Sequence, residues 1–402
     1  MSAGIGKANA IIYTEPMRIT SLQLTNFRNY KHLSLGFSKN AIVFVGKNSS
    51  GKTNILEAIE LLSLSKSFRK ASDVDIIHWN EDFFDIEAQF VKQKEGLRVQ
   101  ARFAIREQTK EKRFFINGTK SAPVEFLGTV LTVLFSPDDV SLFMSPPSTR
   151  RRFFDLTLCK TSPAYCTSLL AYAKVLVNRN RLLQQIHDGK SQINELWYWD
   201  EKLVELGSDI IFFRLRLAQF LHENLDQLYD TLARHPGKEK KSIRLEYNTL
   251  RTPFGEAVVL EKNALREIFR KKLEHSRERD LVFCTTHHGP HRDDFHLVLN
   301  EKPLVDIGSR GDHRIAVLAL KLLQKKYLTQ ETGTSPLLLL DDVYSELDSA
   351  RRDALTEFFK GNQVIITTAD TEALPQSIKD TAQQFSVRKG RVQEVHEKEL
   401  AQ

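Results

Sequence analysis

Two short segments of this 402-residue chain combine residue types and spacings suited to phosphate and metal chemistry. The first is GKNSSGKT at 46–53, which fills the pattern G-x-x-x-x-G-K-[S/T] between an apolar run, AIVFV, and a segment with Ile55, Ile59 and Leu62 at helical spacing. A loop in that setting turns its backbone N–H groups toward phosphate oxygens. Gly46 and Gly51 let the backbone close round the phosphates, with Lys47, Asn48, Ser49 and Ser50 forming the loop between them. Lys52 supplies a cation for the β- and γ-phosphates of a nucleotide, Thr53 a hydroxyl ligand for Mg²⁺, and the helix N-terminus a partial positive charge. The second segment is LLLLDDVYSELD at 337–348. Carboxylates at the end of an all-leucine strand are costly unless a cation faces them. Beside a phosphate loop that cation is Mg²⁺, faced by Asp341 through water, while Asp342 is placed to orient or deprotonate an attacking water. The chemistry expected is hydrolysis of a nucleoside triphosphate.

The elements that must position these groups come from both ends of the chain. RITSLQLTNFRNYKHLSLGFS alternates apolar and polar residues, as paired strands do, and DIEAQFV, LRVQARFAI and KRFFINGTK extend the pattern, with Asn117-Gly118 as a hairpin turn. From about Leu142 to Ser276 the texture is helical. Leu203, Leu206, Ile210, Phe213, Leu217 and Phe220 form a heptad-like seam whose phase shifts to Leu225, Leu228 and Leu232, ending at the loop RHPGKEKKS. Strand texture returns in LVFCTT, FHLVLN and VIITT and closes with a hairpin, FSVRKGRVQEV. Lys52 and Asp341 therefore stand nearly three hundred positions apart with a helical region between them. The expected architecture is one α/β head assembled from residues 17–141 and 277–402, with a helical arm, 142–276, inserted, and residues 1–16 as a loose extension before Met17.

Bulk properties narrow the function classes. Hydrophobic content of 41% and charged content of 27% suit a globular protein, and no apolar run reaches the ~20 residues of a membrane span. The opening residues lack the apolar core of a secretory signal. Three cysteines without CxxC spacing argue against a zinc ribbon or a disulfide framework and for reduced thiols in the cytoplasm. A net charge of +7 permits nucleic-acid binding.

LTNFRNY, the phosphate loop with its helix, KSFR, FSPDDV, RRRFFD, HHGPHRDD and LLLLDDVYSELD occur in an order that resembles the RecF family, within the ABC-type ATPases that include the SMC proteins. The resemblance runs along nearly the whole chain after Met17. It implies an ABC/SMC-type head that binds ATP and Mg²⁺, forms a homodimer around two ATPs on DNA, and acts in recombinational repair at gaps or single-strand/double-strand junctions. It implies RecR as a partner, RecO through RecR, and slow ATP hydrolysis to release the dimer. Residue by residue, it places Ser309 and Gly311 as the signature that reaches the partner head's γ-phosphate, Arg69 near phosphates or DNA, and Asp348 in a loop at the dimer interface. The family usually has Gln or Glu and then Gln after the signature glycine; this chain has Asp312 and His313, a carboxylate expected to repel the phosphate unless it turns away.

The alternatives are an SMC-like structural protein or a transporter-type ABC ATPase with a different partner. The seam is too short for a long coiled-coil arm, and VIITTAD ends in Thr368 and Asp370 where transport ATPases place a histidine. His287, His288, His291, Asp293 and Asp294 offer metal-ligand types, but Gly289-Pro290 forces a turn through them. No sequence-reading DNA motif occurs, so binding by charge and shape is expected. The candidate phosphate contacts are Arg150, Arg151, Arg152, Lys240 and Lys241, with further clusters at Arg179 and Arg181 and at Arg270 to Lys272.

Overall fold

Long alternating strands at the N-terminus pair into a six-stranded antiparallel sheet, ordered Tyr30–Gly36, Arg18–Phe27, Phe83–Lys92, Glu95–Arg106, Thr109–Ile116, Thr119–Ser121. The computed structural model describes residues 15–69, 71–107, 109–233, 241–250, 252–253 and 261–395. Asn117 and Gly118 take φ of 49° and 81° at the expected hairpin turn.

The short, mainly apolar runs AIVFV, VIITT, LLLLD and TVLF, joined by the closing hairpin, form a second six-stranded sheet that positions the chemistry. Its order is Arg391–Val395, Gln383–Arg388, Ala41–Val45, Val364–Thr368, Leu337–Asp341, Thr132–Phe135. All neighbours are parallel except the hairpin partner at the Arg391–Val395 edge. Strands buried on both faces read as continuous hydrophobic runs, which is why LLLL and VII lack alternation. Ile366 pairs with Val43 on one side and Leu340 on the other, so the strand Val364–Thr368 lies between the phosphate-loop strand and the aspartate strand. Gly46, Asp341 and Thr368 therefore meet at the carboxyl edge of one sheet, where open α/β sheets bind ligands.

The helix Lys52–Leu64 runs between the two sheets, with Ile55, Leu56, Ile59, Leu61 and Leu62 fully buried in their shared core. On the other face of the parallel sheet, the helix Arg310–Thr332 packs against the long helix Leu196–Ala233 of the arm. That 38-residue helix is buried on more than the expected seam: Val204, Gly207, Ile211, Arg214, Ala218 and Leu221 are inward as well. It touches the helices Pro163–His187 and Lys262–His275 and the strand Ile243–Thr249, so it is the centre of a globular arm rather than a coiled-coil stalk.

The arm differs from the sequence reading in two places. Ile243–Thr249 pairs antiparallel with Asp294–Leu299, so a small four-stranded sheet crosses the boundary expected near residue 276. LVFCTT is not a strand: Arg277–Phe283 is helical, because Asp280 must face inward to the fully buried Arg179 while Leu281 packs beside Leu182, Leu183 and Leu196. Residues 1–14 and most of the RHPGKEKKS loop, Lys240 included, lie outside the described residues. Met17 is buried, its N–H bonded to the Ser335 carbonyl. Among the described residues no helix is long and apolar enough to cross a membrane.

Candidate nucleotide site

The phosphate loop is held by close backbone packing. A side chain at Gly46 would place its Cβ 2.3 Å from the Val387 carbonyl oxygen, and Gly51 has φ of 114° with Asn29 and Tyr30 against it. Only glycine meets both demands. The Tyr30 hydroxyl donates to the Gly51 carbonyl (3.1 Å), while Asn29 Nδ2 and the Gly390 N–H both donate to the Ser50 carbonyl (3.3 Å each). Lys47, Asn48 and Ser49 form the turn, with Ser49 at a φ of 64°, and Ser50 Oγ is buried without a hydrogen-bond partner. Lys52 Nζ folds back on the loop, donating to the carbonyls of Gly46 (2.6 Å) and Lys47 (3.1 Å). Burial pushes the Lys52 ammonium down from its ordinary value, and Asp342 and Asp341 push it back up.

The aspartates reach the same place from the other end of the chain. Thr53 Oγ1 donates to Asp341 Oδ1 at 2.8 Å, and Thr367 Oγ1 donates to the same oxygen at 2.7 Å. Asp342 takes the left-handed conformation, φ 52°, its N–H bonded to Thr367, and its Oδ1 is buried with no hydrogen-bond partner. Strained backbone and an unsatisfied buried acceptor at one residue are two costs that folding alone does not require. The donor set of Thr53 and Asp341 fits Mg²⁺: a hydroxyl and a carboxylate in contact, oxygen donors only.

Sequence reasoning missed the groups that brace this site. Glu57, fully buried on the phosphate-loop helix, accepts from Arg28 Nε (2.9 Å) and Nη2 (2.6 Å) and from Ser67 Oγ (2.5 Å), with Arg69 Nη1 at 3.6 Å. Arg69 also donates to Asn54 Oδ1 (2.9 Å), and Asn54 to Asn29 Oδ1 (2.7 Å). Arg69 is thus moored one helical turn from the phosphate loop. The available signal was a glutamate between Ile55 and Ile59 on the inward face of the helix.

Ser309 and Gly311 open the helix Arg310–Thr332. Ser309 Oγ accepts from the Asp312 N–H (3.2 Å) and donates to Asp312 Oδ2 (2.7 Å), while Tyr229 and Lys241 of the arm donate to Oδ1 (2.9 and 2.8 Å). Asp312 is therefore turned back onto its own helix and the arm. Burial raises its pKa, but the bonds from Lys241, Ser309 and Tyr229 outweigh that and hold it well below the carboxylate range. Asp348 caps the helix Ser349–Phe359, accepting from the Arg351 N–H at 3.0 Å and the Arg351 guanidinium at 2.7 Å.

Two expected phosphate contacts, Arg150 and Arg179, are corrected. Arg150 is buried and spent internally: Nε and Nη2 grip Asp294 (2.7 and 2.8 Å), and Nη1 bonds the carbonyls of Phe143 and Ser145. Arg179 is sealed between Asp200 and Asp280, whereas Arg151, with one bond to the Asp293 carbonyl (2.7 Å), and Lys241, which holds Asp312, both stay part-exposed. Of the three consecutive arginines, Arg152 lines a cavity of about 350 Å³ between head and arm, together with Arg69. In the HHGPHRDD segment, His287 pairs with Asp280, His291 with Tyr172, and Asp293 with Arg214 and Tyr247, so the segment knots the arm together. Among the described residues no cluster of three or more His, Cys, Asp or Glu side chains is placed to hold a metal.

A phosphate loop and an acidic strand end at one sheet edge, a serine-capped helix beneath and an arm inserted between the halves define an ABC/SMC-type ATPase head. Residues 18–393 match the family model of the RecF/RecN/SMC N terminal domain. The chain belongs to the RecF family. It is 35% identical over 378 residues to the DNA replication and repair protein RecF of Lachnoclostridium phytofermentans, covering 94% of this chain and 99% of that one. The RecF of Desulfitobacterium hafniense is 36% identical over 364 residues, covering 90% and 95%. A solved structure of the recombination mediator protein RecF with ATP, from the RecFOR pathway, superposes with a TM-score of 0.85 at 30% identity, covering 96% and 100%. The Pyrococcus furiosus Smc head shares the fold, with a TM-score of 0.52 at 17% identity, covering 96% and 98%.

Proposed function

We propose that this chain is a DNA-binding ATPase of recombinational repair that closes as a homodimer on ATP and opens on slow hydrolysis. The observation that carries the reading is the 2.8 Å contact between Thr53 and Asp341, which joins residues 288 positions apart into one site. In that site the phosphate-loop N–H groups and Lys52 bind the phosphates, and Arg69 lies within reach of them. Thr53 and Asp341 would hold Mg²⁺, which would supply positive charge to the nucleotide's phosphates. Asp342, with its unpartnered oxygen, accepts a proton from the attacking water. Ser309 and Gly311 face the partner head's nucleotide, and Asp348 caps a helix beside that surface. DNA is held through its backbone, with Arg151 and Arg152 as the remaining contacts among the three arginines and gapped duplex or a single-strand/double-strand junction as the substrate form. RecR, and RecO through it, are the protein partners, and the protein works in the cytoplasm.

The test is light scattering with and without Mg²⁺-ATP and a gapped duplex. Wild type should double in mass on ATP, and Ser309→Arg should bind ATP yet stay monomeric, because a bulky cation then stands where two heads meet. An ATP-induced dimer of Ser309→Arg equal to wild type would remove the sandwich.

A further inference from the structure

The Ser309 hydroxyl has a single proton, and it is already committed. Oγ donates it to Asp312 Oδ2 at 2.7 Å, and Oδ2 also accepts the Ser309 N–H at 3.0 Å. A phosphate oxygen only accepts hydrogen bonds, so it can engage this serine only by taking that proton from the carboxylate. The other oxygen of Asp312 is fixed from the arm, by Tyr229 of the helix Leu196–Ala233 and by Lys241 just before the strand Ile243–Thr249. Asp312 is therefore held by both of its oxygens, one from its own helix and one from the arm.

We propose that Asp312 is a positioning residue that withholds Ser309 from the partner's ATP, a latch set by Tyr229 and Lys241. The inference rests on the reading of Ser309 as a contact to the nucleotide of a second head. Closing the dimer exchanges a charge-assisted bond within one chain for one across the interface, which weakens closure while leaving ATP binding by the single chain untouched. The arm reaches the serine through two bonds to one oxygen, so whatever displaces Lys241 or Tyr229 alters dimer strength. Gly311 leaves the Ser309 hydroxyl uncovered on its side, where a Cβ would lie 3.7 Å from Oγ.

The test measures the ATP-dependent dimerisation constant by sedimentation for wild type, Asp312→Asn, Ser309→Ala and the double variant. Asp312→Asn keeps the shape but makes the bond neutral, and should tighten the dimer about tenfold. The gain should vanish in the Ser309→Ala background, because the latch acts through that hydroxyl. A gain that persists there, and shrinks with added salt, would assign the effect to carboxylate–phosphate repulsion and overturn the latch. Tyr229→Phe removes one bond with little change in volume and should tighten the dimer about fivefold, which keeps the idea testable if Asp312→Asn folds poorly. A wild-type dimer that neither variant strengthens overturns the latch alone. No ATP-dependent dimer in any variant overturns the dimer reading and the latch together.

Discussion

Replacing Arg150 with alanine should damage the fold and leave the electrostatics of DNA binding unchanged. The guanidinium and the Asp294 carboxylate are only 10% and 19% exposed and meet through two bonds of 2.7 and 2.8 Å. Removing one partner of a buried pair costs about 3–5 kcal/mol, because the other charge is left without compensation. Water reaches part of Asp294, which moves the figure toward the lower end. The carbonyls of Phe143 and Ser145 also lose a charged donor, which restores some of it. The expected loss is about 3 kcal/mol, or roughly 1 M in the urea midpoint at a slope near 3 kcal/mol per M. Under native conditions the log–log salt slope of duplex binding should match wild type, whereas Arg152→Ala should lower it by about one. An Arg150→Ala protein with an unshifted midpoint and a slope reduced by one would refute the argument and return Arg150 to the DNA surface.

Burial and its cationic neighbours Arg292 and Arg151 lower the His291 pKa from 6.5 to about 4, against the Thr286 carbonyl and Asp280, which raise it. The unfolded chain then binds the extra proton between those values, so stability is intact above pH 6.5 and falls by about 2 kcal/mol on going to pH 5; His291→Gln should flatten that slope in urea titrations, and an unchanged slope would remove His291 as its source. Glu57→Gln and Arg69→Ala should each weaken nucleotide binding in calorimetry. If Glu57 acts on the nucleotide through Arg69, and not through Arg28 and Ser67 which it also holds, the double variant should bind no worse than the weaker-binding single; additive losses would show that Glu57 does not act through Arg69.

Local chemistry was legible and long-range pairing was not. The Asn117-Gly118 turn, the phosphate loop and the LLLLDD strand each follow from a few adjacent residues, and the structure places them as elements of the expected kind. The strand Val364–Thr368 reads as a strand, but its place between the two halves of the site, and hence Thr367 bonding to Asp341, depends on pairing across the chain. Runs of basic residues misled because sequence carries charge without its partner: Arg150, Arg179 and Lys241 all meet carboxylates from distant segments. LVFCTT misled because a three-residue apolar run serves a short helix as well as a strand, and the buried ion pair of Asp280 decided between them. Asp312 repels a phosphate unless it turns away, and the tyrosine and lysine that turn it inward stand 83 and 71 positions off along the chain.

The central claim is that two adjacent carboxylates divide the work, Asp341 serving the metal ion and Asp342 the attacking water. A single-turnover assay on preformed Mg²⁺-ATP complexes tests it most directly. Asp341→Asn should fail earlier, at Mg²⁺-ATP binding, because an amide is a poorer partner for a divalent ion than a carboxylate. Asp342→Asn should bind ATP and close the dimer, yet hydrolyse roughly a hundredfold or more slowly, as on losing a general base, so that its DNA complexes outlive those of wild type. Equal single-turnover rates for wild type and Asp342→Asn would contradict the account and leave the buried, unpartnered oxygen of Asp342 without a function.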